Sequence, residues 1–286
     1  MKGVVLAGGT GSRLWPLTYG VSKQLLPVYD KPLIHYPIST LMLAGIQEFL
    51  IITSPDDQGA FVRLLGNGSK YGVTFEFATQ HKPDGIAQAF IIGEKYIGSE
   101  SCALILGDNL FHGVGLGTQL KSLTNASGAH IFAYKVKNPN QYGVIEFDQN
   151  GKVLSIQEKP TNPRSSYAVP GLYFYDNSVV EIAKSVRPSD RGELEITSIN
   201  QKYLEIGKLH ATVLERGTAW LDTGTFESLN AASSFVQIIE DRQGQKISCL
   251  EEIAWRNGWI GDSDLLKRAD EYKSSPFSEY LRSLLN

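Results

Sequence analysis

The run Ala7-Gly8-Gly9-Thr10-Gly11-Ser12-Arg13-Leu14 directly follows a short apolar stretch, Gly3 to Leu6. Glycines at 8, 9 and 11 let the backbone approach an anionic ligand closely, and successive N–H groups in such a turn form an anion-binding concavity. Arg13 adds a planar, permanently charged fork that matches phosphate oxygens. Two better-known phosphate loops are excluded. Counted from Gly9, the G-x-G-x-x-G pattern puts its third position on Leu14, and no Lys-Ser or Lys-Thr pair follows the glycines. A tight glycine turn between strand and helix is the plain alternative. The density of glycine together with Arg13 argues against it.

Other charged residues stand where elements end. Leu104-Ile105-Leu106-Gly107-Asp108-Asn109 closes an apolar run with a carboxylate, a position that projects into the ligand crevice of an open α/β sheet. Ala219-Trp220-Leu221-Asp222-Thr223-Gly224-Thr225 offers a second carboxylate before a helix. Taken with the glycine loop, Asp108 and Asp222 suggest a divalent-cation site, because hard cations such as Mg²⁺ take oxygen ligands. Taken singly, Asp222 reads as a helix N-cap and Asp108 as a satisfied turn residue. Glu158-Lys159-Pro160 ends a strand, and Lys159 there is a compact charge able to neutralise a phosphate. Arg191 in Arg191-Gly192-Glu193-Leu194-Glu195 adds a cation beside a helix start. For both cations the alternative is a solvated surface charge.

The elements that must position these residues fall into two styles. In the first half, strands at Gly3 to Leu6, Glu48 to Thr53, Val73 to Thr79 and Cys102 to Leu106 alternate with helices. The helices are Pro37 to Leu43, a segment capped by Asp56 or Asp57 and running to Leu65, and Ile86 to Lys95. Alternation of this kind predicts an α/β fold with a mostly parallel, Rossmann-like sheet covered by helices on both faces. From Ala129 the pattern changes. Close strands at Ala129 to Val136, Gly143 to Phe147, Val153 to Glu158 and Tyr167 to Tyr175 are joined by Asn/Pro/Gly-rich turns, which predicts an antiparallel section forming a wall against the sheet. Helices return at Ser178 to Lys184, Glu195 to Leu204 and Thr225 to Glu240. One unit spanning 1–286 is expected, with subregions 1–128, 129–224 and a helical 225–286.

Composition narrows the function. The 286 residues are 42% hydrophobic and 20% charged, an ordinary mixture for a globular protein, and the net charge is −3, so a nucleic-acid partner is not expected. The two cysteines, Cys102 and Cys249, form no C-x-x-C pair, which argues against zinc and a disulfide framework and fits a reducing cytoplasm. The N-terminus enters a strand with no signal-like segment, and no apolar stretch approaches membrane-spanning length.

These blocks together resemble the sugar-1-phosphate nucleotidylyltransferases, most closely the glucose-1-phosphate thymidylyltransferase subgroup. The resemblance spans essentially the whole chain. It rests on Leu6-Ala-Gly-Gly-Thr-Gly-Ser-Arg-Leu14, Ser22-Lys-Gln-Leu-Leu-Pro-Val28, Asp84-Gly-Ile-Ala-Gln-Ala-Phe90 and Leu106-Gly-Asp-Asn109. Glu158-Lys-Pro160, Arg191-Gly-Glu-Leu-Glu-Ile-Thr197, Trp220-Leu-Asp-Thr-Gly-Thr225 and Glu251-Glu-Ile-Ala-Trp-Arg-Asn-Gly-Trp259 extend it. Two positions depart from the family pattern: Ile86 stands for a leucine, and Gln157 for an acidic residue.

The resemblance implies a reaction of dTTP with α-D-glucose 1-phosphate to give dTDP-glucose, for dTDP-rhamnose or other deoxysugars, and pyrophosphate. It implies that Leu6, Gly8, Gly9, Thr10 and Gly11 hold the nucleotide, that Arg13 and Lys23 grip its phosphates, and that Asp108 and Asp222 hold Mg²⁺. By the same resemblance Gln80 and Gly85 face the base with Gln24 close by, Lys159 orients the sugar phosphate with Arg191 near it, and Tyr142, Gly143, Glu158 and Val169 line the sugar pocket. The family also implies a homotetramer and a second, regulatory nucleotide site at a subunit interface, here drawing on Gly113, Arg216 and Arg256. Surface charge explains those two arginines equally well. The rival functions are the same transfer with UTP or another nucleotide, and a non-catalytic sugar-nucleotide sensor. The sensor would have no need of Arg13, Asp108, Lys159 and Asp222 together.

Overall fold

The computed structural model describes every residue except Ala126 and Asn286. The first part runs β1 (Lys2–Ala7), β2 (Pro27–Val28), β3 (Lys31–Pro32), α1 (His35–Leu43), β4 (Glu48–Thr53), α2 (Gln58–Leu65) and β5 (Thr74–Thr79). Next come α3 (Gln88–Ile92), α4 (Glu94–Ile97), β6 (Cys102–Leu106), β7 (Asn109–His112) and α5 (Leu116–Lys121). The second part holds β8 (Ala129–Lys135), β9 (Gly143–Phe147), β10 (Val153–Glu158), β11 (Tyr167–Ala168), β12 (Leu172–Tyr175), α6 (Val179–Ser185), α7 (Ile196–Glu205), β13 (Leu209–Val213) and β14 (Ala219–Asp222). Four helices follow: α8 (Phe226–Gln243), α9 (Leu250–Arg256), α10 (Asp262–Glu271) and α11 (Pro276–Ser283).

One ten-stranded sheet organises the molecule, in the order β10-β9-β11-β8-β12-β6-β1-β4-β5, with β13 also paired to β8. Strands β6, β1, β4 and β5 are parallel neighbours. Val4, Val5, Ile51 and Ile52 are fully buried, as strands with helices on both faces require. One apolar cluster lies against α1, α9 and the C-terminal helices, and a second packs against α3, α6 and α7 on the other face.

The antiparallel section continues this sheet instead of forming a wall beside it. The expected strand Tyr167 to Tyr175 is broken at Val169-Pro170-Gly171, and its two halves serve different neighbours. β12 pairs with β6 and β8, whereas β11 pairs with β8 and β9. The sheet therefore forks between β6 and β9. Proline supplies no ladder donor at the break, and a Cβ on Gly171 would lie 2.6 Å from the Leu106 side chain. The end of β6 thus approaches the broken strand closely.

Two helical expectations change in detail. The segment Ile86 to Lys95 is divided at Gly93 into α3 and α4. Asp57 precedes α2 without capping it through its side chain; its carboxylate accepts instead from Ser54 Oγ at 2.6 Å. At α8 the cap is Thr225, whose Oγ1 accepts from the Ser228 backbone N–H at 3.2 Å. Asp222 is therefore not needed as a cap.

Candidate active site

A cleft of about 520 Å³ opens at the carboxyl ends of β1 and β6, along the fork of the sheet. Crevices beyond the carboxyl ends of parallel strands are where open α/β sheets bind ligands. One end is walled by the glycine loop. Gly11 has φ 62°, a left-handed conformation that glycine adopts without a Cβ penalty, and its carbonyl accepts from Thr18 Oγ1 at 2.7 Å. The turn leaves Gly9 and Thr10 exposed at the cleft. Arg13 lines it too, and among the described residues it makes no ion pair.

Gly8, Leu6, Gln24, Gln80 and Gly85 form a layer behind this loop and do not line the cleft. A Cβ on Gly8 would meet Gln80 Oε1 at 2.6 Å. Gln80 is buried, and its Nε2 donates to Gln88 Oε1 at 2.6 Å and to the Gly85 carbonyl at 3.3 Å. Gly85 has φ 120°, and a Cβ there would stand 2.4 Å from the Leu194 carbonyl oxygen. The contact is close because Leu194 N–H donates to the Asp84 carbonyl at 2.6 Å and its carbonyl accepts from Ala87 N–H at 3.0 Å. The Gly107 N–H donates to the Leu6 carbonyl at 2.9 Å, and Gln24 is hydrogen-bonded to Ser22 Oγ at 2.7 Å.

At the centre, Asp108 and Asp222 are drawn together by β7 and β14, which pair Asn109 with Asp222. Thr223 fastens the join, its hydroxyl donating to the Asp108 carbonyl at 2.9 Å. The Lys23 ammonium is in direct contact with Asp108 Oδ2. Burial pushes the Asp108 carboxyl up, but the Lys23 charge and hydrogen bonds from Lys23 and Asn109 outweigh it and hold the group below its ordinary value. Asp222 has the opposite fate: burial first, and then the neighbouring Asp108 charge, push it up to about 6. Two crowded carboxylates with one strained toward protonation are short of positive charge. Their donor set, all hard oxygen, fits Mg²⁺ with further ligands from phosphate and water.

The other end is the forked sheet. Glu158 closes β10, and its Oε2 accepts from Thr197 Oγ1 at 2.5 Å. Lys159 follows with φ 40°, an unusual left-handed conformation for a side-chain-bearing residue, and its N–H donates to the Tyr142 carbonyl at 3.0 Å. Its ammonium reaches only 3.7 Å from Glu158 Oε1 and stays exposed at the cleft mouth. Gly143, Val169 and Tyr142 line the same wall, and Tyr142 packs edge-on against Trp220 with ring centroids 5.1 Å apart. Burial, reinforced by Asp222, raises the Tyr142 phenol. Arg191 sits in an adjoining recess with Arg13 and Lys159. Its guanidinium donates to Glu195 at 2.7 Å and to Glu158 at 3.4 Å, and these contacts, Glu195 foremost, raise its pKa.

Several residues of the cleft were not singled out as site residues from sequence. Asn109 donates to Asp108 Oδ1 at 2.7 Å, while its Oδ1 accepts from Trp220 Nε1 at 2.7 Å and from Gly171 N–H at 3.1 Å. One buried amide therefore ties the acidic centre to the wall at the fork of the sheet. Its place beside Asp108 was the only available signal. Thr197, the last residue of the Arg191–Thr197 block, also lines the cleft, as do Tyr173 and Asn200, which nothing in their local sequence distinguishes from core residues.

The residues Gly113, Arg216 and Arg256 lie outside this cleft. Gly113 packs on Thr218, where a Cβ would lie 3.0 Å from Thr218 Oγ1, which sets it beside the exposed turn bearing Arg216. Arg256 ends α9, donating to Glu252 at 2.7 Å.

Comparison with known proteins agrees with this architecture. The nucleotidyl transferase family model matches residues 2–238. A glucose-1-phosphate thymidylyltransferase of Mycolicibacterium smegmatis is 59% identical over 286 residues, covering 100% of this chain and 99% of the relative. One of Neisseria meningitidis is 55% identical with the same coverage. A crystal structure assigned as a glucose-1-phosphate thymidylyltransferase from Bacillus anthracis, in complex with a sucrose, superposes with a TM-score of 0.76 at 40% identity, over 82% of this chain and 94% of that one. A UDP-glucose pyrophosphorylase complexed with UDP-glucose shares the fold, with a TM-score of 0.74 at 24% identity, over 83% of this chain and 98% of that one. The chain belongs to the nucleotidyl transferase family, in the glucose-1-phosphate thymidylyltransferase group.

Proposed function

We propose that the protein transfers a thymidylyl group from dTTP to α-D-glucose 1-phosphate. An oxygen of the sugar phosphate attacks the α-phosphorus in line, the bond to the α,β-bridging oxygen breaks, and dTDP-glucose and pyrophosphate form. The attacking oxygen is already ionised at neutral pH, so the protein supplies positioning and charge neutralisation and no general base.

The carrying observation is the arrangement along one cleft: a glycine loop with Arg13, which makes no ion pair among the described residues, at one end, the Glu158–Lys159 corner at the other, and Lys23 and the two carboxylates between them. Gly9, Thr10 and Gly11 bind the triphosphate, and Arg13 and Lys23 neutralise the departing pyrophosphate. Leu6, Gly8, Gln24, Gln80 and Gly85 shape the base pocket from the layer behind the loop, where Gln88 and the Gly85 carbonyl hold the Gln80 amide in place. Lys159 orients the sugar phosphate. Arg191, occupied by Glu195, steadies Glu158 beside it, while Tyr142, Gly143 and Val169 bound the hexose. Asp108 and Asp222 would hold Mg²⁺, which when bound offsets phosphate charge.

The wider reading keeps residues 1–286 as one unit, with a nucleotide part (1–128), a sugar part (129–224) and a helical part (225–286). It makes the protein a cytoplasmic homotetramer feeding dTDP-deoxysugar synthesis, with Gly113, Arg216 and Arg256 near a regulatory nucleotide site. None of its described helices is long and apolar enough to cross a membrane.

The test is pyrophosphate release with Mg²⁺ and glucose 1-phosphate, offering dTTP, UTP, ATP, CTP and GTP separately. Strongest release with dTTP supports the base assignment. Activity with UTP is expected to be weaker but measurable, since one methyl group is weakly discriminated. Strongest release with another nucleotide overturns the base pocket, and no release from folded protein favours the sensor.

A further inference from the structure

Four buried polar side-chain atoms among the described residues have no hydrogen-bond partner: His35 Nε2, Tyr96 Oη, Asn200 Nδ2 and Arg268 Nε. Of these residues, only Asn200 lines the cleft. Asn200 is 0% exposed, on α7, one turn after Thr197, whose hydroxyl holds Glu158. Residues three apart on a helix share a face, so Thr197 and Asn200 present their side chains to the same region.

The Asn200 amide is fixed from behind. Tyr175 Oη donates to Asn200 Oδ1 at 2.6 Å. Tyr175 is itself clamped between Tyr173 and Tyr203, with ring centroids 6.2 and 5.6 Å away, and Tyr203 donates to Asp176 Oδ1 at 2.7 Å. Burial keeps the Tyr175 phenol protonated far above its ordinary range, so it remains a donor. The amide nitrogen is thus left without a partner beneath the cleft. Turning the amide over would exchange an orphan donor for an orphan acceptor, because Tyr175 can serve only one of its two ends. Buried amide groups without partners are rare because they forfeit hydrogen bonds to water, and in a binding cleft such a group is suited to a ligand atom.

We propose that Asn200 is a specificity-determining residue of the sugar site, its amide nitrogen donating to one hydroxyl oxygen of the hexose. The inference rests on the reading that this cleft takes a hexose 1-phosphate. The Thr197–Glu158 pair and Asn200 then form a two-point grip. Glu158 accepts from hydroxyls and Asn200 donates to one hydroxyl oxygen, which distinguishes a hydroxyl from a hydrogen at that carbon. A site built to hydrogen-bond a hydroxyl rejects the analogue lacking it far more strongly than an apolar pocket does.

The experiment compares wild type with Asn200→Leu on glucose 1-phosphate and on its 2-, 3-, 4- and 6-deoxy analogues, with dTTP and Mg²⁺. The expected result is that the variant loses about 10- to 100-fold in kcat/KM for glucose 1-phosphate at unchanged KM for dTTP. With one deoxy analogue the two proteins should become equal, because the partner hydroxyl is absent from both. A loss of the same size on every sugar, a raised KM for dTTP, or no loss at all overturns the role. If circular dichroism shows Asn200→Leu to be unfolded, Asn200→Ser is put through the same comparison. Inactivity of the wild type with every sugar would sink the functional reading itself, whereas an analogue-independent loss in the variant sinks only the role of Asn200.

Discussion

The Lys23 ammonium rests on Asp108 Oδ2, and both side chains are largely withdrawn from solvent in the centre of the cleft. A lysine in this position is the internal counter-charge of a carboxylate that a divalent cation would otherwise claim. Lys23→Met should therefore have two opposite effects. Mn²⁺ binding to the nucleotide-free protein, followed by electron paramagnetic resonance, should tighten, while turnover of dTTP should fall by about 10²-fold through loss of a phosphate-neutralising charge. Unchanged or weaker Mn²⁺ binding would show that Lys23 does not compete for the carboxylates.

Arg13 is exposed on the cleft wall without an ion-pair partner among the described residues, whereas Arg191 is engaged by glutamates. An unengaged guanidinium beside a glycine loop should act chiefly on the ligand. Arg13→Ala should lower kcat by about 10²- to 10³-fold with little change in thermal midpoint, and Arg13→Lys should recover only part of this because it lacks the planar fork. Equal activity in Arg13→Ala would remove Arg13 from the phosphate site.

Gly85 cannot accept a side chain where it stands. Its φ of 120° is strained for other residues, and a Cβ would penetrate the Leu194 backbone at 2.4 Å. Gly85→Ala should destabilise the protein by about 2–4 kcal/mol, by backbone strain and displaced packing. It should also weaken dTTP binding, since the Gly85 carbonyl accepts from Gln80. Thermal denaturation and dTTP titration measure the two effects, and a wild-type melting curve would contradict the steric argument.

The His130 ring is pushed down to about 4, by burial first and then by the adjacent His210. The unfolded chain takes up this proton near the ordinary value of about 6.5, so between the two values the unfolded state binds more protons. The histidine's stabilising contribution is complete above that ordinary value and is lost as pH falls toward about 4, at a rate on the order of 1 kcal/mol per pH unit. His130→Gln should flatten the decline. Urea unfolding at pH 7 and pH 5 measures it, and parallel declines in the two proteins would contradict the assignment.

The alternation that predicts the parallel half of the sheet is legible because β1, β4 and β6 are buried on both faces and read as unbroken apolar runs. The fork was not legible. Tyr167 to Tyr175 looks like one strand, and only the tertiary pairing shows that β11 and β12 part company to admit the cleft. The carboxylates and cations that line the cleft were readable because they stand in short blocks at element ends. Asn200 and Tyr173 were not, since their helix and strand look like ordinary core until the floor of the cleft is seen. The capping reading of Asp222 gave way because Thr225 and Ser228 satisfy each other three residues further on.

The most direct test of thymidylyl transfer follows the phosphorus atoms. The protein is incubated with Mg²⁺, glucose 1-phosphate and dTTP labelled with ³²P at either the α or the γ position. The account predicts that the α label enters the sugar nucleotide and the γ label enters pyrophosphate. Transfer of the γ label to the sugar, or release of the α label as thymidine monophosphate, would contradict it.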